Sequence, residues 1–106
     1  MSANVTNRAF PDELPRLLGE KGMTLRGLAR EVGGVDHAYL SRMLNRRTAV
    51  NVVHAERIAR HLGLPRDYFP EVREARVIEA VRESPRLRDA IYFERLSESR
   101  RSARRS

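Results

Sequence analysis

The stretch TLRGLAREVGGVDHAYLSRMLNRR, Thr24 to Arg47, decides the fold. Thr24 is a residue type that caps helix N-termini, because its hydroxyl accepts from a backbone N–H left free in the first turn. Leu25, Leu28, Ala29 and Val32 follow at the i, i+3, i+4, i+7 spacing of a buried helical face. Gly33 and Gly34 break that helix, and Asp36 is placed to cap the next one. Within it Tyr39, Leu40, Met43 and Leu44 again repeat with helical spacing.

Two short helices that cross at a steep angle need a small residue where their backbones approach and a tight turn between them. Ala29, Gly33 and the apolar pair Leu40 and Met43 supply that set, which is the constraint pattern of a helix-turn-helix. Many helical hairpins contain glycine, so the flanking chain has to carry the rest of the argument.

On the N-terminal side, Asp12 is read as the cap of a first helix whose inward stripe is Leu14, Leu17 and Leu18. Pro15 is expected in its first turn, where a missing N–H is harmless, and Gly22 as its left-handed terminator. On the C-terminal side, Asn51 can cap a helix with the apolar face Ala55, Ile58, Ala59 and Leu62, ended by Gly63. Pro65 is expected to open a short fifth helix carrying Tyr68 and Phe69. Val72, Ala75, Ile78 and Val81 predict a helix up to about Glu83. Ser84 followed by Pro85 is a cap and first-turn pair for a last helix carrying Leu87, Ala90, Ile91 and Phe93. No segment alternates with period two for long enough to be a strand, so the fold expected is all-α.

The organisation predicted is a flexible arm over 1–10, a helical domain over 11–69, an extension over 70–96 and a basic tail over 97–106. The tail contains only Ser, Arg, Glu and Ala and has nothing to bury, so it is expected to be disordered.

Composition narrows the function. The chain has 106 residues, the size of one domain, and a formal net charge of +7. Cysteine is absent, which excludes disulfides and thiolate metal sites. The longest apolar runs are a few residues, far short of the roughly 20 that span a bilayer, and Met1 to Ala9 lacks the pattern of a signal peptide. A cytoplasmic, nucleoid-associated protein with no membrane partner is expected. A basic surface attracts polyanions such as nucleic acid or anionic lipid, and the sign of the charge alone does not choose between them. Nearly all the positive charge is arginine, Lys21 being the only lysine. Arginine pairs bidentately with phosphate and guanine, although a GC-rich genome produces the same bias.

The stretches Leu28-Ala29-Arg30-Glu31-Val32-Gly33, Tyr39-Leu40-Ser41-Arg42 and Ala55-Glu56-Arg57-Ile58-Ala59-Arg60-His61-Leu62-Gly63-Leu64-Pro65 together resemble the Xre family, which includes the phage lambda and Cro repressors. The resemblance covers roughly residues 11 to 69. It implies a five-helix lambda-repressor-like helix-turn-helix domain, here with a C-terminal two-helix extension, that binds duplex DNA and regulates transcription. Two features depart from the family pattern. The turn Gly33-Gly34-Val35-Asp36 is one residue longer than usual, and Leu25 stands where many members carry glutamine.

The resemblance places the third helix, about 36–45, in the major groove, where exposed side chains meet base edges. With Tyr39, Leu40, Met43 and Leu44 needed for packing, the outward positions are His37, Ala38, Ser41 and Arg42. Arg42 is the strongest base reader, since a guanidinium pairs with guanine O6 and N7. Phosphate contacts are expected from Thr24, Arg26, Asn45, Arg46, Arg47 and Thr48, which flank the recognition helix or begin the helix before it.

No other chemistry competes well. His54 and His61 lie two helical turns apart, too far for one ion, and no metal or cofactor is expected. Gly33-Gly34 lacks the lysine and hydroxyl of a phosphate-cradling loop, and no nucleophile has a base beside it, so an enzyme is not expected. The leading expectation is a repressor that binds a pseudo-palindromic operator as a homodimer through the extension. The alternative is an antitoxin or adaptor that uses the extension to hold a protein partner.

Overall fold

A computed structural model describes residues 4–96. The elements are α1 (Phe10–Lys21), α2 (Leu25–Val32), α3 (His37–Leu44), α4 (Val52–His61), α5 (Pro70–Glu83) and α6 (Pro85–Ile91), followed by a π-helical turn over Tyr92–Leu96. There is no strand among the described residues, in keeping with the all-α expectation. The chain divides into two compact units, one up to Glu74 and one from Ala75 onward. The basic tail expected over 97–106 lies outside the described residues.

Within the first unit, α2 packs on α3 and α4, and α1 packs on α3. The core is built from the stripes read in the sequence: Leu14, Leu17 and Leu18 from α1, Leu28 and Ala29 from α2, Leu40 and Met43 from α3, and Ala55, Ile58, Ala59 and Leu62 around α4. The helix ends follow from capping chemistry. The Thr24 hydroxyl accepts from the Gly27 amide at 3.0 Å, and the Asn51 side chain accepts from the His54 amide at 3.0 Å. Gly22, at φ +65°, closes α1 in the left-handed conformation that glycine adopts without a Cβ penalty.

The long turn after α2 is accommodated by two consecutive glycines at φ +72° and +67°, and it delivers Val35 into the core. Asp36 stands at the N-cap of α3, but its side chain makes no capping bond there.

Four expectations need correction. First, α1 begins at Phe10 with Ala9 at its N-cap, so Asp12 lies inside the first turn and does not cap the helix. The cap comes from far along the chain. The Glu71 carboxylate accepts from the Phe10 amide at 2.9 and 3.1 Å, which satisfies a first-turn donor and sets a negative charge at the positive end of the helix. Second, Pro15 is inside α1 rather than in its first turn. Third, Pro65 opens only a single turn, closed by the Tyr68 amide on the Pro65 carbonyl at 3.0 Å, and no helix forms over Tyr68 and Phe69. Fourth, the segment read as a flexible arm is tied down where it is described. Phe10 is completely buried, with its ring edge-on to Phe69 at 4.8 Å. Thr6 donates to the Tyr68 carbonyl, and Arg73 donates to the carbonyls of Thr6, Asp67 and Tyr68 at 2.6, 2.7 and 2.9 Å.

The start of α5 therefore belongs to the first unit. Val72 is fully buried there, while Glu71 and Arg73 hold the N-terminal segment. In the second unit, Ser84 caps α6 by accepting from the Leu87 amide at 3.2 Å. Val77, Ile78, Leu87, Ile91, Phe93 and Leu96 are all exposed.

A charged group, Glu13, is buried in the core of the first unit. The Glu13 carboxylate is 1% exposed and receives the Arg16 guanidinium at 2.7 and 2.9 Å and the Tyr68 hydroxyl. The Arg16 hydrogen bond outweighs the burial penalty and holds the Glu13 carboxyl below its ordinary value of 4.5. Burial, then the hydrogen bond to Glu13, pushes the Tyr68 phenol above 10. The signs are opposite. The Glu13 contribution to stability is present above pH 4.5 and is lost as pH falls through its depressed folded value; the Tyr68 contribution is present below pH 10 and is lost as pH rises toward its raised folded value. Thermal unfolding followed across pH should show both limbs, and Glu13→Gln should flatten the acid one. An acid limb unchanged in Glu13→Gln would show that the pair is not its source.

Candidate nucleic-acid interface

The buried side chains of α3 fix which way the helix faces. With Leu40 and Met43 fully buried and Tyr39 and Leu44 partly so, His37, Ala38, Ser41 and Arg42 are left along the opposite stripe. Ala38 and Arg42 are exposed, and His37 and Ser41 are half-buried. All four base-contact candidates thus share one helical face.

The Arg42 guanidinium carbon sits 5.6 Å from the centroid of the Tyr39 ring. Tyr39 in turn meets the His54 ring of α4 edge-to-face at 5.4 Å. Ser41 accepts a long hydrogen bond of 3.4 Å from the Asn45 side chain, one turn on.

The residues after α3 form a tight polar connection. The Arg46 amide bonds the Met43 carbonyl at 3.2 Å and the Arg47 amide bonds the Arg42 carbonyl at 2.9 Å, which requires φ +59° at Arg46. Arg47 is exposed and Thr48 half-buried. Arg46 departs from the simple expectation of a free phosphate ligand: it contacts both Asp12 carboxylate oxygens, at 3.0 and 3.1 Å. Both partners are more than half exposed, so the pair is weak and a phosphate can compete with it. Thr24 and Arg26 are exposed at the start of α2. Because the Thr24 hydroxyl is used in capping, what this helix end offers an anion is its unpaired backbone amides.

Sequence reading missed Arg57. From α4 it donates to the Gly33 carbonyl at 3.0 Å and lies over Gly34, where an added Cβ would come within 3.0 Å of the guanidinium. It thereby fastens the turn that sets α3 against α2. No local signal marks it, since its partner is 24 residues away and it falls on the exposed side of its own helix. Glu31 and His61 form a second α2–α4 link, at 2.9 Å.

Among the described residues, no three His, Cys, Asp or Glu side chains gather as metal ligands, and no helix is long and apolar enough to cross a membrane. What the arrangement offers is a helix with a small polar face and an exposed guanidinium at Arg42, flanked by cations and by a helix N-terminus. Joined to α2 through a glycine turn, that helix defines a helix-turn-helix protein of the DNA-binding class.

Comparison with known families agrees. A family model described as helix-turn-helix matches residues 16–69, half of the chain, and the chain belongs to this lambda repressor and Xre-like family. It is a DNA-binding helix-turn-helix regulator, and the family is regulatory rather than enzymatic. No curated protein and no solved structure matches the chain significantly.

Proposed function

We propose that the protein is a sequence-specific transcriptional repressor that lays α3 in the major groove of an operator, with Arg42 as the principal base reader. The observation that carries this reading is the shared face of His37, Ala38, Ser41 and Arg42, presented outward by the burial of Leu40 and Met43. His37 and Ser41 offer hydrogen bonds to base edges, and Ala38 offers apolar contact with a thymine methyl. Thr24, Arg26, Asn45, Arg47 and Thr48 hold phosphates on either side, and Arg46 joins them once it exchanges Asp12 for phosphate. Repression then follows from occupancy of the operator.

A single recognition helix covers only a few base pairs, and two copies on half-sites about 34 Å apart double the contacts. The exposed Val77, Ile78, Leu87, Ile91, Phe93 and Leu96 of the second unit support a homodimer, because apolar groups in such number gain from a partner. The same side chains favour the second reading, an antitoxin or adaptor whose extension binds a different protein. Mass measurement in solution, alone and after co-expression with neighbouring genes, separates the two.

Selection from a random duplex library tests the first reading. A symmetric enriched motif is expected, and recovery of random sequence would contradict it. Arg47→Ala is expected to weaken binding to every duplex alike and to reduce the slope of log affinity against log salt by about one unit. Titration of the variant on operator and scrambled duplex at several salt concentrations checks this. A loss confined to the operator would move Arg47 into the base-reading set.

A further inference from the structure

We propose that Tyr39 is a positioning residue whose ring is the platform that holds the Arg42 guanidinium in its base-reading pose. This rests on the assignment of Arg42 as base reader. Arginine has many rotamers, and a free one loses that freedom on docking. In this protein the freedom is already reduced. The guanidinium carbon lies 5.6 Å from the Tyr39 ring centroid, within the range of cation–π attraction, and the two residues are three apart on one helix, where side chains meet.

A platform works only if it is itself fixed, and Tyr39 is fixed from below. Its ring is half-buried, packed on the core, and met at 78° by the His54 ring from α4. His54 is anchored in the first turn of α4 by its amide bond to the Asn51 cap. Its Nδ1 is buried, with no hydrogen-bond partner among the described residues. Imidazole, phenol and guanidinium thus form a chain of contacts, the first edge-to-face and the second with the guanidinium carbon over the phenol ring. The phenol, assigned only to packing by its helical spacing, becomes a determinant of base preference.

The test uses the full chain and the duplex recovered by selection, together with the three single-base variants of that duplex at the position Arg42 reads. Tyr39→Leu should reduce the preference for the correct base about two- to fivefold, the equivalent of an exposed cation–π contact. Affinity for scrambled duplex and the salt slope should not change. Tyr39→Phe, which keeps the ring and removes the hydroxyl, should retain the preference. In an Arg42→Ala background, Tyr39→Leu should change nothing further. A uniform loss on all sequences, or a loss that persists in Arg42→Ala, overturns the proposal. If Tyr39→Leu does not fold, His54→Leu carries the same prediction, since it removes the buttress and leaves the tyrosine; unchanged preference there overturns it too. The two assignments fail distinguishably. Lost preference in Arg42→Ala with full preference in Tyr39→Leu removes the platform alone, whereas unchanged preference in Arg42→Ala removes the base reader and the platform with it.

Discussion

Phe10→Ala is expected to cost about 3–5 kcal/mol of unfolding free energy, the range for emptying a buried aromatic site. Phe10 is 0% exposed and sits edge-on to Phe69, which is equally buried, at 4.8 Å. The truncated site cannot refill easily, because its backbone is held by the Glu71 carboxylate and the preceding segment by Arg73. A domain of this size has only some 5–15 kcal/mol in hand, so the variant should be close to unfolding at physiological temperature. Urea denaturation followed by circular dichroism checks it. A loss below about 1 kcal/mol would mean that residues 4–10 behave as a loose arm after all.

Arg42→Ala has the largest effect expected on binding. Removal of a bidentate contact to guanine should weaken operator binding by about 1–3 kcal/mol and relax the preference at one base pair, leaving the other positions as selective as before. Competition among duplexes that differ only at that pair reads both quantities. The substitution removes no buried group, Arg42 being exposed, so the fold should be indifferent to it. Wild-type affinity together with a wild-type base profile would contradict the assignment.

The parts of this molecule that are local in sequence were legible in it. Thr24, Asn51 and Ser84 cap the helices they were expected to cap, because each acts within three residues of itself. The stripes of α1 to α4 gave the core, because helical spacing alone decides which side chains share a face. The features that were not legible depend on distant partners. Asp12 has the composition of a cap, yet the helix starts before it because Glu71, 61 residues beyond Phe10, supplies the first-turn acceptor. Phe10 looked like part of a flexible arm because the ring it packs on comes from Phe69. Pro65 carried a helix-start signal, but the chain there turns once and enters α5, whose first turn, with Val72, completes the core.

At the candidate interface the same division holds. The four outward positions of α3 follow from its periodicity, and the cations that succeed it are read directly from the sequence. The Asp12 contact to Arg46 and the Arg57 clamp on Gly33 join residues 34 and 24 apart, and no pattern along the chain announces either.

The proposed repressor role requires that this surface discriminate between DNA sequences. Its most direct test is affinity for the selected duplex and for a scrambled duplex of equal length, titrated in parallel from low to physiological salt. The selected duplex is expected to bind at least about a thousandfold more tightly at physiological salt, with the gap surviving as both affinities fall. Equal affinities that decline together would contradict it, and would reduce the basic face to a general attractor of polyanions.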